Sequence, residues 1–248
     1  MSVIELFWSA SVLAILLVFI HTIFGLEIIK RGVIFTDLAT GQFAAIGVAV
    51  SLLFFEGGYM FLLTLIFALI GAFLIAFATY RVKHIEAFIG MLYALGASSI
   101  IIILSNTAQG TELFSKLQAN DILFTTPSDL IEPLVLYVTV ATLFFLLYEK
   151  LTGFLREMLF FGLLALTVTS SVQLAGVLVV FVLLIVPAFL SLMQKRFARL
   201  PFAWVIGSVI IIASMVISYF WDLPTGYTIV FIASLVGVVS ALLVPSLD

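Results

Sequence analysis

The sequence contains no cysteine and few charged side chains, and each shortage excludes a class of protein. Without cysteine, the chain can form neither disulfides nor thiolate metal sites. Only 9% of its residues are charged, whereas soluble domains have about 25%. The net charge of −3 gives no indication of a nucleic-acid partner. So little charge cannot coat a water-soluble surface, and the composition therefore predicts an all-α polytopic protein that folds in lipid.

Long apolar runs take the place of the missing charge. Hydrophobic residues make up 65% of the 248 residues, and the mean hydropathy is +1.38. A helix needs about 20 apolar residues to cross the hydrocarbon core. The uncharged stretches that fit one crossing each are 6–26, 38–55, 57–80, 87–111, 133–148, 200–221 and 223–247. One further stretch, 158–194, is long enough for two crossings, with a turn predicted at its least apolar point, 167–173 (TVTSSVQ). We therefore predict about nine transmembrane helices in a single domain, 1–248, with eight as the alternative.

The basic residues predict how these helices are oriented. In the nine-helix arrangement, all Lys and Arg residues except Lys116 lie on one side. The segments that carry them are 27–37, 81–86, 149–157 and 194–200. Because basic loops are retained in the cytoplasm, we predict an N-terminus outside, a cytoplasmic C-terminus and a multi-pass location in the cell (inner) membrane.

Two outer loops have a recognisable pattern. Segment 106–129 alternates apolar and polar residues, which predicts a short interfacial or re-entrant helix and then a turn marked by proline. Ser128 and Asp129 are the predicted caps of the next span. In the second loop, WDLPTG, Trp221 and Tyr227 suit the headgroup level.

A few polar side chains lie inside the predicted spans, where they are the first candidates for function. His21 is either bonded to a neighbouring helix or acts as a metal ligand or proton carrier. Asp37 begins the second span; it either favours the positive end of a helix or, with Gln42, faces a polar path between helices. Gln173 is either part of a turn or a further member of that path.

Enzyme motifs are absent from the sequence. It has no metalloprotease or hydrolase signature and no phosphate-binding GxxxxGK[ST] loop. A pump built on this chain therefore needs its ATPase on another polypeptide. We expect a transport subunit and not an enzyme, with no cofactor of its own and with ATP bound by a partner subunit.

Two stretches carry distinctive motifs, SVQLAGVLVVFVLLIVPA at 171–188 and YFWDLPTGYT at 219–228. The first resembles a stretch of the zinc/manganese permease family of ATP-binding-cassette importers, in which Gln precedes a Gly step and an apolar run ends in Pro-Ala. The second resembles that family's Asp-x-Pro-x-Gly turn, and weaker matches lie at 86–96 and 122–130. The positions that match family motifs are Gly47, Gly90, Gly176, Pro187, Asp222, Pro224 and Gly226.

The resemblance implies a membrane-spanning permease subunit that moves a small solute by alternating access, with a divalent metal of the zinc or manganese type as cargo. It also implies a homodimer in the lipid bilayer, a cytoplasmic ATPase subunit and an extracytoplasmic solute-binding protein. Two alternatives remain open: a transporter with no ATPase or with a non-metal cargo, and a non-transporting membrane subunit that keeps the permease fold.

The start of the second span departs from the family pattern. The family has Gly-Asp there, then a His four residues later and a Pro-Gly step. In an alignment through Phe35 and Gly47, Gln42 stands at the His position and Ile46 at the Pro, and Asp37 is shifted by one residue. Glutamine is a poor substitute for imidazole as a zinc ligand.

The inner loop between the fifth and sixth spans also departs from the pattern. The family has a docking helix for the ATPase there, but this chain keeps little more than EKLTGFLR. Glu149, Lys150 and Arg156 are the candidate coupling residues of this loop, and 195–200 is the alternative contact.

Overall fold

The computed structural model describes residues 3–105 and 110–243, and within these ranges the chain is helical with no strand. The helices are α1 (Val3–Arg31), α2 (Thr36–Phe55), α3 (Met60–Arg81), α4 (Ile85–Leu104), α5 (Gly110–Gln118), α6 (Ile131–Leu147), α7 (Gly153–Ala175), α8 (Val177–Leu192), α9 (Arg199–Trp221) and α10 (Thr225–Leu243). Two short 3-10 turns, Ile122–Phe124 and Pro127–Leu130, join α5 to α6.

The apolar helices correspond to the predicted spans, which confirms an all-α polytopic membrane fold. Within the described ranges, eight helices are long and apolar enough to cross a membrane. The ninth apolar helix, α8, has 16 residues. At 1.5 Å per residue it is about 24 Å long, a little short of a hydrocarbon core of about 30 Å. It packs against α1, α9 and α10. The predicted orientation of the termini stays a prediction, and residues 244–248 lie outside the described ranges.

The run 158–194 divides at Gly176, so the turn predicted within 167–173 is wrong. Helix α7 continues through this polar stretch because its hydroxyls are satisfied inside the helix. Thr167 and Thr169 donate to carbonyl oxygens one turn earlier, at 2.9 and 2.8 Å. The helix ends at Gly176, whose φ of +86° is a conformation that favours glycine.

The connection between α5 and α6 confirms a short helix followed by a turn marked by proline, but the capping prediction was wrong in detail. Thr126 caps the turn at Pro127–Leu130, and Asp129 completes a capping box by accepting the Thr126 N–H at 2.9 Å. Ser128 only shares a hydroxyl contact with Thr126. Proline favours the first position of a helical turn, so the capped turn begins before α6, which has no side-chain cap of its own.

Two motif glycines allow close backbone packing against the chain that follows α5. A Cβ on Gly176 would lie 2.7 Å from the backbone nitrogen of Ala119, and one on Gly226 would lie 2.5 Å from the carbonyl oxygen of Asn120. The backbone N–H of Asn120 donates to the carbonyl of Ala175 at 2.9 Å. Its side-chain amide nitrogen lies 3.4 Å from the carbonyl oxygens of Gln173 and Leu174. Asn120 thereby satisfies the last turn of α7, and the loop folds inward against α8 and α10, as expected of a re-entrant segment.

Three of the basic loops meet at one end of the bundle, which we call the basic end. The backbone N–H of Ile34 donates to Glu86 at 3.0 Å, joining the α1–α2 and α3–α4 loops. Arg31, at the end of α1, donates to the hydroxyl of Tyr148 at 2.6 Å and to Glu157. These two bonds join the α1–α2 loop to the α6–α7 loop and the start of α7. This grouping agrees with the predicted arrangement of the cations.

Candidate functional site

The first two turns of α2 contain five buried oxygen atoms for which the described residues supply no hydrogen-bond partner. These atoms are Thr36 Oγ1, Asp37 Oδ1 and Oδ2, Thr40 Oγ1 and Gln42 Oε1. The four side chains are at most 1% exposed. Buried polar atoms are normally paired, because an unpaired one loses its hydration without compensation. The start of α2 therefore holds the largest group of unpaired buried oxygens among the described residues, and a bound ligand would supply their missing partners.

Helix geometry divides these oxygens between two faces. At about 100° per residue, Thr36, Asp37 and Thr40 fall within an arc of about 100°. Gln42 lies about 140° around the helix from Asp37. We call the three residues of the first group the oxygen patch. Asp37 and Gln42, which one of the two predicted alternatives placed on a single polar path, therefore lie on different faces of α2.

Gln42 faces α4 and the outer segment. A Cβ on Gly96 would lie 2.7 Å from the Cβ of Gln42. The Gln42 amide nitrogen lies 3.5 Å from the side-chain oxygen of Gln118, at the end of α5. Gln173 lies in the last turn of α7, where its amide nitrogen has no partner among the described residues and it lines an open cleft of about 450 Å³. The structure thus brings Gln42 together with Gln118, whereas no observed hydrogen bond joins Gln42 to Gln173 in the part of the chain described.

Two close helix contacts follow the oxygen patch along α2. A Cβ on Gly41 would meet Val177 of α8 at 2.9 Å, and one on Gly47 would meet the backbone of α3 at 2.5 Å. The motif position Gly47 therefore lets α2 and α3 approach closely. Helix α2 also packs against α7. The patch is consequently enclosed by helices and shielded from lipid.

A cavity of about 400 Å³ opens at the basic end. Its lining includes two carboxylates, Glu27 and Glu157, and two guanidinium groups. Val33 also lines it, and the carbonyl of Val33 accepts the backbone N–H of Thr36 at 3.1 Å. The wall of this cavity and the oxygen patch are thus one turn of chain apart.

His21 is fully buried, but both its ring nitrogens have partners. Nδ1 lies 2.8 Å from the carbonyl oxygen of Leu17 in the same helix, and Nε2 lies 3.1 Å from the hydroxyl of Ser171 in α7. This geometry supports the first predicted alternative, a histidine bonded to a neighbouring helix. In the part of the chain that the structure describes, no three His, Cys, Asp or Glu side chains cluster to hold a metal ion.

The α6–α7 loop is as short as predicted. It spans 148–152 between the two helices, and these described residues form a single hydrogen-bonded turn with no separate helix. Glu149 and Lys150 are exposed there. Arg156, in contrast, belongs to the first turns of α7 and lies over the ring of Tyr148 at 4.2 Å. Two of the three predicted coupling residues are therefore accessible to a partner.

The remaining motif positions shape turns and contacts. Asp222 ends α9 in the left-handed conformation, with φ +50°, and Pro224 directly precedes α10. Pro187 lies inside α8 and would be 2.8 Å from a Cβ on Gly207. A Cβ on Gly90 would meet no described atom within 4 Å. None of these residues contacts the oxygen patch through an observed bond.

Sequence reasoning missed Thr36 and Thr40. The available signal was their spacing, which places one threonine directly before Asp37 and another three residues after it. It was too weak to use because threonine hydroxyls in helices usually donate to the carbonyl one turn earlier. Those that do so in this chain include Thr22, Thr64, Thr79, Thr139, Thr142, Thr167 and Thr169.

Known proteins share both the sequence pattern and the fold. A model of the ABC 3 transport family matches residues 3–244. PsaBC from Streptococcus pneumoniae, solved in complex with a Fab, is similar with a TM-score of 0.78 and 20% identity, over 96% of this chain and 91% of that chain. An inward-facing ABC transporter assigned to the metal-chelate type has a TM-score of 0.67 and 16% identity, over 92% of this chain and 82% of that chain. No curated protein matches the sequence. The motif resemblance is thus confirmed, and the chain belongs to the ABC 3 transport family.

Proposed function

We propose that this chain is the permease subunit of an ATP-binding-cassette importer in the inner membrane and that its cargo is a divalent metal cation. Family membership makes it a multi-pass transport subunit. The observation that favours a cation is Asp37, a carboxylate that is 1% exposed and has neither an ion pair nor a hydrogen bond among the described residues. A buried, unpaired charge is expensive in a membrane, and a bound cation offsets that cost.

Alternating access accounts for the position of this carboxylate. The cavity at the basic end is lined by Val33, which lies one turn of chain before the oxygen patch. On the other side, the chain after α5 is packed against Gly176 and Gly226. A carrier exposes its site to one side at a time, so cargo enters when the outer segment moves away and leaves when helices part at the basic end. ATP bound by a partner subunit, and not by this chain, drives the change.

The ATPase partner has a second candidate contact besides Glu149 and Lys150. In the α8–α9 loop, Phe197 is 57% exposed. Gln194 orders this loop, because its side chain accepts the Phe197 N–H at 2.7 Å and donates to the Phe197 carbonyl at 2.9 Å. Lys195 and Arg196 directly precede Phe197, and the Arg196 guanidinium lies 5.5 Å from the centre of the exposed ring. An ordered aromatic side chain in a basic loop suits a protein interface. A second copy of the chain and an extracytoplasmic solute-binding protein complete the proposed importer.

The cargo is tested in cells that lack this chain and in cells that regain it with its native partners. Under metal starvation, we expect uptake of radioactive Mn²⁺ or Zn²⁺ to fall on deletion and to return with the wild-type chain. Unchanged uptake of both ions would contradict the metal assignment.

The ATPase is tested by purifying the tagged chain from native membranes. We expect an ATPase to co-purify, and we expect Phe197→Ala to reduce its recovery. Phe145→Ala is the matched control, since Phe145 is 58% exposed on α6. Isolation of the wild-type chain without any ATPase would favour a transporter that needs none, or a non-transporting subunit.

A further inference from the structure

We infer that the oxygen patch selects hard divalent cations, with Mn²⁺ as the representative, and discriminates against Zn²⁺. This inference rests on the proposed function and adds the chemical class of the cargo. The carboxylate of Asp37 and the hydroxyls of Thr36 and Thr40 supply four oxygen atoms, all buried and without partners among the described residues.

The two threonine hydroxyls are available because they do not bond to their own helix. The carbonyl of Thr36 lies one turn before Thr40, the position to which helical threonines usually donate. Thr169, equally buried in α7, makes that bond at 2.8 Å. Thr40 does not make it. The hydroxyl oxygens of Thr36 and Thr40 are therefore free to accept a cation.

The spacing of the three residues suits a single ion. Side chains three and four residues apart on a helix have Cβ atoms about 5–6 Å apart, and Asp37 with Thr40 and Thr36 with Thr40 are such pairs. Mg²⁺ and Ca²⁺ bind oxygen ligands at about 2.0–2.6 Å, so one ion can reach both members of a pair. Hard cations complete their coordination with water or carbonyl oxygens, so four protein oxygens are sufficient.

The donor set lacks the ligands that zinc prefers. Zinc is held by thiolate and imidazole more readily than by hydroxyl, whereas oxygen ligands suit magnesium, calcium and manganese. The chain has no cysteine and two histidines. His21 is bonded to α7, and His84 is exposed before α4. Gln42 stands at the family's histidine position, and its side-chain oxygen Oε1 also has no partner among the described residues. A transport site must also release its cargo, which favours such moderate ligands.

The test uses the complete importer in cells and measures uptake of radioactive Mn²⁺ in competition with unlabelled Mn²⁺ or Zn²⁺. We expect Zn²⁺ to compete about tenfold less effectively than Mn²⁺. The double variant T36V/T40V keeps side-chain shape but loses both hydroxyls. It should reduce Mn²⁺ uptake about tenfold, comparable to the loss of a supporting ligand contact.

Two further variants separate loss of a ligand from loss of folding. Thr169→Val removes an equally buried hydroxyl outside the patch and should keep wild-type uptake per molecule in the membrane. Thr40→Ser retains the oxygen and should keep uptake near wild type. Equal competition by Zn²⁺, or full Mn²⁺ uptake by T36V/T40V, would overturn the inference while leaving metal import intact. If the proposed function itself is wrong, the result is different: deletion of the wild-type chain then leaves uptake of both ions unchanged.

Discussion

Two polar segments of similar composition have opposite hydrogen-bonding patterns in this bundle. TDLATGQ (36–42) begins α2, and TVTSSVQ (167–173) lies in the second half of α7. In α7 the threonine hydroxyls bond to their own helix, and Ser171 also contacts His21 of α1. In α2 neither threonine hydroxyl nor the carboxylate has a partner among the described residues.

This difference separates a structural polar segment from a candidate binding site. The α7 segment satisfies its threonine hydroxyls within the helix and uses a serine to join another helix, which is a common role of polar residues in membrane bundles. The α2 segment leaves a negative charge and several oxygens unsatisfied at a cost in stability. Since burial is similar in both, the presence of partners, and not burial, marks the site.

Replacement of Asp37 by Asn has the largest expected effect. It removes the charge that holds a cation, so metal uptake should fall to the level of cells without the chain. Thermal stability in detergent should stay equal or rise, because the lost carboxylate has no partner in the described structure. Glu132→Gln, the same change on an exposed residue of α6, is the control and should leave uptake unchanged. Full uptake by the Asp37→Asn variant would remove the patch from the transport path.

Replacement of His21 by Ala tests the α7 segment, whose Ser171 hydroxyl contacts His21. It leaves the Ser171 hydroxyl with fewer partners and opens a cavity, so we expect a loss of about 1–3 kcal/mol in stability. Uptake per folded molecule should not change. Thermal unfolding of purified protein measures the first quantity, with His84→Ala as the exposed control. Normal stability with lost uptake would place His21 on the cargo path instead.

Replacement of Gly176 by Ala disturbs the end of the α7 segment. Its positive φ with an extended ψ of 160° costs an alanine about 1–3 kcal/mol, and the new Cβ would lie 2.7 Å from the backbone of Ala119. We expect lower stability and faster proteolysis of the loop after α5. Gly90→Ala is the control, because a Cβ there meets no described atom within 4 Å and alanine is a better helix former than glycine. Equal behaviour of the two variants would contradict the packing described for the outer segment.

Replacement of Thr167 by Val has the smallest expected effect. The hydroxyl bonds only to the carbonyl one turn earlier, and such bonds contribute little to helix stability. We expect a change within about 0.5 kcal/mol and normal uptake. A large loss of uptake would show that the α7 segment does more than hold the helix.

Much of the fold was predictable from sequence, but the hydrogen-bond partners that define the site were not. Long uncharged runs predicted the crossing helices, since lipid requires them. The break of 158–194 was misplaced because hydropathy falls at 167–173 although these hydroxyls satisfy themselves inside the helix. Gly176, with its positive φ, was recognised as a motif position but not as the end of a helix.

The candidate site was predicted only in part, for a related reason. Asp37 and Gln42 stood out as polar residues in an apolar span, and their five-residue separation already placed them on different faces. Thr36 and Thr40 did not stand out, because a threonine in a helix normally bonds to its own backbone. Only the positions of the neighbouring helices reveal that these two hydroxyls lack partners.

A crystal structure of the importer soaked with Mn²⁺, with anomalous scattering recorded to locate the ion, tests the central claim most directly. We predict a manganese peak within about 2.0–2.6 Å of the Asp37 carboxylate, with a hydroxyl of Thr36 or Thr40 also in its coordination shell. A fully occupied manganese peak elsewhere in the bundle, with none at the start of α2, would contradict it.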